Sequence, residues 1–118
     1  MTSTRDPRSL LPLTPVAFEI LLTVSDGDCH GYQIMQAVDS RTDGAIVLHP
    51  GTLYRALARL LDASLIEELT AEQQRPADDD ERRRYYRLTK FGREVLTAEA
   101  ERLARQVREA RARRLVRS

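Results

Sequence analysis

The 118-residue sequence contains one cysteine, Cys29, and no tryptophan. A lone cysteine forms no intrachain disulfide and cannot build a four-cysteine zinc site. No apolar run approaches the roughly 20 residues of a membrane-spanning helix, and no secretory signal pattern is present. The length suits one domain and is too short for a two-lobed enzyme. We therefore expect a single cytoplasmic domain without membrane contact, metal or cofactor.

No constellation of residues typical of an active site stands out, so an enzymatic function is not expected. Cys29 and His30 are adjacent, but no third and fourth ligand follow at a spacing that suits a metal. Neighbouring side chains at a helix start also point in different directions. We interpret Cys29 as a reduced, partly buried thiol.

The net charge of +1 conceals a division of the chain into an acidic and a basic part. Up to Glu81 there are six basic and fourteen acidic residues, whereas from Arg82 onward there are thirteen basic and four acidic residues. A basic C-terminal third favours contact with a polyanion or with an acidic protein surface.

Turn and capping signals divide the chain into helices and strands. Thr14 followed by Pro15 is typical of a helix start, and Thr89 is a candidate cap for the last helix. The predicted elements are helices over 15–25, 30–42, 50–63 and 90–113, and strands over 65–70 and 84–88. This order predicts a mainly α fold with a small β-hairpin, a winged helix-turn-helix followed by a long C-terminal helix.

The predicted domain organisation has three parts. They are a flexible N-terminal arm over residues 1–13, a winged helix-turn-helix DNA-binding domain over 14–88, and a C-terminal dimerisation helix with a frayed basic tail over 89–118.

The third predicted helix has two distinct faces. Its leucines share one arc of about 100°, while Thr52, Arg55 and Arg59 cluster on a nearly opposite arc. An outward threonine and two outward arginines suit the edges of bases in a DNA groove. Tyr54 lies on the flank, which suits a ring packed on the domain with its hydroxyl directed to a phosphate.

Basic and apolar patterns continue beyond this helix. The arginine run at the tip of the hairpin suits contacts with the DNA backbone. Apolar residues of the last helix recur at alternating spacings of three and four, the pattern of a coiled-coil seam. The predicted DNA-binding residues are Thr52, Tyr54, Arg55, Arg59, Arg82, Arg83 and Arg84, and the predicted dimer contacts are Leu96, Ala100, Leu103, Val107 and Ala110.

Three blocks of sequence resemble PadR-family transcriptional regulators over residues 13–103. They are HGYQI from His30, PGTLYRAL from Pro50 and RRYYRLTKFG from Arg83. The resemblance implies a bacterial homodimeric repressor that binds a pseudo-palindromic operator and uses its last helix as the dimer interface. It also implies that some members are released from DNA by a small molecule or by a modification. Ser64 stands where members usually have glycine. A serine at positive φ costs about 1 kcal/mol, so we expect a turn of different shape there.

Two interpretations of the partner remain open at this point. The first is double-stranded DNA bound by a homodimer, with a small-molecule effector of unknown class in a cavity at the dimer centre and no sensing role for Cys29. The alternative is a winged-helix protein interaction module whose C-terminal arginines bind an acidic partner. Salt-dependent retention on DNA in the presence of nonspecific competitor DNA separates the two.

Overall fold

A computed structural model describes residues 5–70, 73 and 83–117 of the chain. After a 3-10 turn at Pro7–Leu10, the order of elements is α1 (Pro15–Ser25), β1 (Cys29–His30), α2 (Gly31–Arg41), α3 (Pro50–Asp62), β2 (Ile66–Glu68), β3 (Tyr85–Leu88) and α4 (Lys90–Ala112). The predicted fold class is confirmed. The helix boundaries fall within about one residue of those predicted from capping signals.

The helices begin where local hydrogen bonds satisfy their first N–H groups. Thr14 accepts a hydrogen bond from the N–H of Ala17 at 3.0 Å, and Pro15 needs no partner at this position. His30 starts α2 with a capping box, in which its Nδ1 accepts from the N–H of Gln33 and the Gln33 side chain accepts from the N–H of His30. The histidine cap was not predicted, because Ser, Thr, Asp and Asn are the usual caps.

The sheet has one more strand than the predicted hairpin. Its order is β1-β3-β2, and both pairings are antiparallel. Cys29 lies opposite Tyr86, and His30 lies opposite Tyr85. A two-residue strand is too short to show an alternating pattern, so only its pairing with β3 identifies it. The pairing of β1 with β3 anchors the start of α2 directly to the wing, which consists of the paired strands β2 and β3.

The core lies where the helices of the winged domain meet the inner side of the sheet. Tyr86 is 2% exposed and points inward, whereas its neighbour Tyr85 is only partly buried. This alternation follows the period of two in a strand. The core residues are Ile20, Leu21, Val24, Ile34, Val38, Leu48, Leu53, Leu57, Leu60, Leu65, Ile66, Tyr86, Val95 and Leu96.

A serine occupies the left-handed position after α3. Ser64 has φ of 62°, the N–H of Leu65 donates to the carbonyl of Leu60 and the N–H of Ser64 donates to that of Leu61. These two bonds define a Schellman motif, the ending that usually carries glycine at this position. Our expectation of a turn of different shape was therefore wrong. The two hydrogen bonds, together with the packing of Leu65, offset the steric cost of the serine.

The described residues of the predicted arm rest on α4. Leu10, Leu11 and Leu13 pack against the core, and the guanidinium of Arg5 lies 4.5 Å from the centre of the Phe91 ring. These leucines remove apolar surface from water where they pack. The flexibility predicted for the arm over residues 1–13 stays a prediction.

Local hydrogen bonds close the C-terminal end of α4, and the fraying predicted for the basic tail stays a prediction. The N–H of Leu115 donates to the carbonyl of Ala110, the N–H of Arg114 donates to that of Arg111, and Arg114 has φ of 62°. The helix therefore ends in a second Schellman motif. Among the described helices, none combines the length and apolarity needed to cross a membrane.

A buried carboxylate connects the segment before α1 to α4. Glu99 is 1% exposed, accepts a hydrogen bond from the N–H of Leu13 at 2.8 Å and pairs with the guanidinium of Arg102. The bond to Arg102 lowers the pKa of Glu99 most, the Leu13 N–H lowers it further, and burial opposes both. The ionised form is therefore the one that stabilises the fold.

We expect Glu99→Gln to lower the free energy of unfolding by about 1–3 kcal/mol at pH 7, because a buried hydrogen bond to a charged group is lost. The pKa of Glu99 in the folded protein lies below its ordinary value of 4.5. The stabilisation by ionised Glu99 is therefore complete above pH 4.5 and declines as the pH falls through the pKa of the folded state. Urea unfolding at several pH values tests this. Glu101→Gln, at an exposed position of the same helix, should change stability by less than about 0.5 kcal/mol. Equal effects of the two variants would contradict the assignment.

Candidate nucleic-acid interface

Helix α3 presents a polar surface on the side opposite the core. Leu53, Leu57 and Leu60 are buried, whereas Arg55 and Arg59 are exposed. The helix keeps this orientation because its three leucines fit between α1, α2 and the sheet. The outward arc therefore has the composition predicted from the sequence, with Thr52 also exposed.

Thr52, Arg55 and Arg59 line one side of an open groove of about 490 Å³. The opposite side is formed by the segment before α1 and by the first turn of α1, including Pro12 and Thr14. Within the part of the chain that the structure describes, neither Arg55 nor Arg59 forms an ion pair. Both side chains are exposed on this side of the groove.

Tyr54 lies on the other flank of α3 and is 50% exposed. Its ring crosses to the first turn of α2, where its hydroxyl lies 3.0 Å from the position that a Cβ atom on Gly31 would occupy. The hydroxyl is therefore held at the junction of α2 and α3, on the exposed side of the domain. This placement suits the phosphate contact that we predicted, which stays a prediction.

Three arginines of the wing were predicted to bind DNA, and the structure brings two of them to the same junction. Arg83 and Arg84 precede β3, and both are exposed. The Nη1 atom of Arg83 lies 2.7 Å from Nε2 of His30, and Nε of Arg84 lies 3.9 Å from Oε2 of Glu68. Arg82 lies outside the described residues. The contact with His30 places Arg83 beside the start of α2, a position that the sequence did not indicate.

The buried Tyr86 hydroxyl lies close to this junction. Burial raises the pKa of Tyr86 most, and Glu68 and Tyr54 raise it further, whereas Arg84 lowers it. The contacts of Tyr54 with Gly31 and of Arg83 with His30 bring α3 and the segment before β3 to the start of α2.

No site residue was predicted at the start of α2. The structure places His30, the cap of this helix, against Arg83 and Gly31, its first residue, against Tyr54. The HGYQI block indicated this segment only through its family resemblance. Arg87 of β3 forms a two-bonded ion pair with Asp28 at 3.1 and 3.2 Å.

Cys29 has the environment of a structural thiol. Burial raises its pKa most, and the nearby carboxylates of Asp26 and Asp28 raise it further. The thiol therefore keeps its proton at neutral pH, which agrees with our interpretation of a partly buried, reduced cysteine. Within the described residues, no group of three or more His, Cys, Asp or Glu side chains is placed to hold a metal ion.

The residues predicted to form the dimer seam differ in their burial within one chain. Leu96 is 7% exposed and packs in the core of its own chain, and its assignment to the seam stays a prediction. One helical stripe continues from the core onto the exposed half of α4. Ala100 and Val107 are exposed, and Leu103 and Ala110 are partly exposed, so these four predicted contacts lie on the surface.

Comparison with known sequences gives a consistent result. The family model "Transcriptional regulator PadR-like family" matches residues 20–98. An uncharacterized 37.1 kDa protein in transposon TN4556 of Streptomyces fradiae is 38% identical over 86 residues, which cover 73% of this chain and 22% of that protein. The chain therefore spans about a fifth of the length of this relative.

Comparison with solved structures supports the same fold. A PadR family transcription regulator from hypervirulent Clostridium difficile R20291 gives a TM-score of 0.69 at 25% identity, and the match covers 87% of this chain and all of that chain. Bacillus subtilis PadR in complex with operator DNA gives a TM-score of 0.58 at 21% identity, and the match covers 74% of this chain and 47% of that chain.

Proposed function

The chain belongs to the PadR-like family of transcriptional regulators, and we propose that it is a sequence-specific DNA-binding repressor acting as a homodimer on a pseudo-palindromic operator. The observation that carries this proposal is the outward surface of α3, where Thr52, Arg55 and Arg59 lie exposed and neither arginine is paired within the described residues. The fold shared with Bacillus subtilis PadR, whose structure contains operator DNA, supports DNA as the partner.

In this proposal α3 enters the major groove and specifies bases, while the wing and Tyr54 contact the backbone. Two symmetry-related copies of α3 require half-sites about 10 base pairs apart. A small-molecule effector would bind at the dimer centre, and Cys29 would have no sensing role because its raised pKa keeps it protonated.

We expect Arg55→Ala to weaken binding to the operator by roughly 1–3 kcal/mol and to relax base preference at one symmetric position, because a bidentate contact with guanine is lost. The operator is first recovered by selection from a random duplex library. Binding titrations then give the binding free energy that the variant loses on the operator and on a scrambled duplex. An equal loss on both duplexes would show that Arg55 contacts only the DNA backbone and would contradict the role of α3 in specificity.

We expect Arg83→Ala to weaken binding to both duplexes to a similar extent, because the wing contacts phosphates. The dependence of affinity on salt should decrease by about one ion per protomer. Arg93→Ala removes the same charge from an exposed position of α4 and serves as the control. This variant should change neither the affinity nor its dependence on salt by much. A loss for Arg83→Ala confined to the operator would show that the wing specifies bases.

The same titrations distinguish the proposal from a protein interaction module. A repressor retains its operator in the presence of excess nonspecific DNA, and its retention decreases with salt. Failure of the selection to enrich any duplex would reject sequence-specific DNA binding and favour an acidic protein partner.

A further inference from the structure

We infer that Gly31 is a positioning residue for DNA contact, because its missing side chain leaves a notch in the first turn of α2 that seats the Tyr54 hydroxyl. The inference rests on the proposed function, since it assigns the seated hydroxyl to a DNA phosphate. It concerns a residue with no ionisable or hydrogen-bonding side chain, which acts only through the space that it leaves.

The distances around Gly31 define the notch. A Cβ atom at this position would lie 3.0 Å from Oη of Tyr54, 3.2 Å from Cδ2 of Leu53 and 3.5 Å from Cζ of Tyr54. The first two distances are shorter than ordinary van der Waals contacts between carbon and its neighbours. Gly31 itself is buried, so the ring of Tyr54 covers it from the solvent side.

The backbone does not account for glycine at this position. Gly31 is the first residue of α2 and has no left-handed φ, unlike Gly27 and Gly44, whose φ angles are 151° and 77°. Alanine is also a better helix former than glycine. The close approach of Tyr54 and Leu53 therefore supplies the physical reason for a residue without a side chain.

An added methyl group would displace Tyr54 more than Leu53. Leu53 is fully buried and enclosed by the core, whereas Tyr54 is half exposed and has solvent into which it can rotate. Alanine at position 31 should therefore leave the core intact and move the hydroxyl away from α2 by a few tenths of an ångström. A shift of this size is enough to lengthen and misalign a hydrogen bond that the hydroxyl donates.

A phosphate suits this location. Tyr54 offers an O–H donor, and the exposed guanidinium groups of Arg83 and Arg84 lie at the start of the adjacent strand. A hydroxyl that donates to a charged acceptor contributes more than one that donates to a neutral acceptor. Its contribution requires that the hydroxyl be held in place before DNA binds, which is the role assigned to Gly31.

A double-mutant cycle tests the inference. The affinities of the full chain and of its Gly31→Ala, Tyr54→Phe and Gly31→Ala/Tyr54→Phe variants are measured on the selected operator and on a scrambled duplex at one salt concentration. Tyr54→Phe removes the atom nearest the notch and leaves the ring, so a methyl group at position 31 then meets only Leu53 and the ring edge. Thermal unfolding confirms that all four proteins are folded at the temperature of the titration.

We expect Tyr54→Phe to weaken binding by about tenfold and Gly31→Ala by about fivefold, on both duplexes alike, because a phosphate contact carries no sequence information. In the Tyr54→Phe background, Gly31→Ala should change affinity by less than about twofold, because the two changes remove the same contact.

Three results would overturn the inference, and they differ in meaning. An equal loss from Gly31→Ala in both backgrounds would show that the residue acts independently of Tyr54. An unchanged affinity of Tyr54→Phe would remove Tyr54 from the interface and leave the proposed function standing. If the unmodified chain binds neither duplex, the proposed function itself fails.

Discussion

Replacement of Gly92 by alanine is expected to lower the free energy of unfolding by about 2–4 kcal/mol. A Cβ atom on Gly92 would overlap the carbonyl oxygen of Leu65 and lie 2.9 Å from Cδ1 of Leu88. The obstacle is backbone, which cannot rotate away as a side chain does, so α4 must shift as a whole.

The shift would also break the hydrogen bonds that start α4. The N–H of Gly92 donates to Oγ1 of Thr89 at 2.8 Å, and that hydroxyl donates to the carbonyl of Ser64 at 2.6 Å. The N–H of Thr89 donates to the same Leu65 carbonyl that the methyl group would displace. Loss of such a cap alone destabilises a helix by about 1 kcal/mol.

Urea unfolding of Gly92→Ala and of Gly51→Ala provides a matched comparison. A Cβ atom on Gly51 would meet only Nη1 of Arg55, at an ordinary contact distance of 3.5 Å. Because alanine is the better helix former, Gly51→Ala should be neutral or stabilising. A Gly92→Ala variant as stable as Gly51→Ala would show that α4 is not closely packed on the turn after α3.

Replacement of Leu103 by glutamate is expected to abolish the proposed homodimer at micromolar concentration. The four surface residues of the seam, Ala100, Leu103, Val107 and Ala110, lie along one side of α4, where Val107 is 41% exposed. Each dimer would lose two leucines from its interface and gain two buried carboxylates without partners. We expect a loss of at least about 3 kcal/mol, more than a hundredfold in dissociation constant.

Sedimentation equilibrium over a range of protein concentrations measures this change. Arg105→Glu introduces the same carboxylate on the opposite side of α4, at an exposed position, and should leave the dimer intact. A Leu103→Glu variant that remains dimeric would remove this helix from the interface. Weakened dimerisation in both variants would instead indicate a general effect of charge on the basic helix.

The helices and the orientation of α3 could be predicted from local signals in the sequence. Thr14 with Pro15, Pro50, and Thr89 mark helix starts through contacts within a few residues, so their signals do not depend on the rest of the fold. The two faces of α3 follow from a period of 3.6 residues, which places its leucines inward and Arg55 outward. The wing strand β3 was recognisable for a similar reason, since its alternation is local.

The contacts between residues that are distant in sequence could not be predicted, because they form only when the elements pack together. Cys29–His30 becomes a strand only when β3 pairs with it, more than 50 residues away. The helical stripe of α4 continues past Leu96 without a break, and only the position of the domain shows where core ends and surface begins. The notch at Gly31 depends on the ring of Tyr54 from another helix. Periodicity and capping report on neighbours along the chain, whereas burial, close approach and pairing depend on the packing of elements that the chain brings together only on folding.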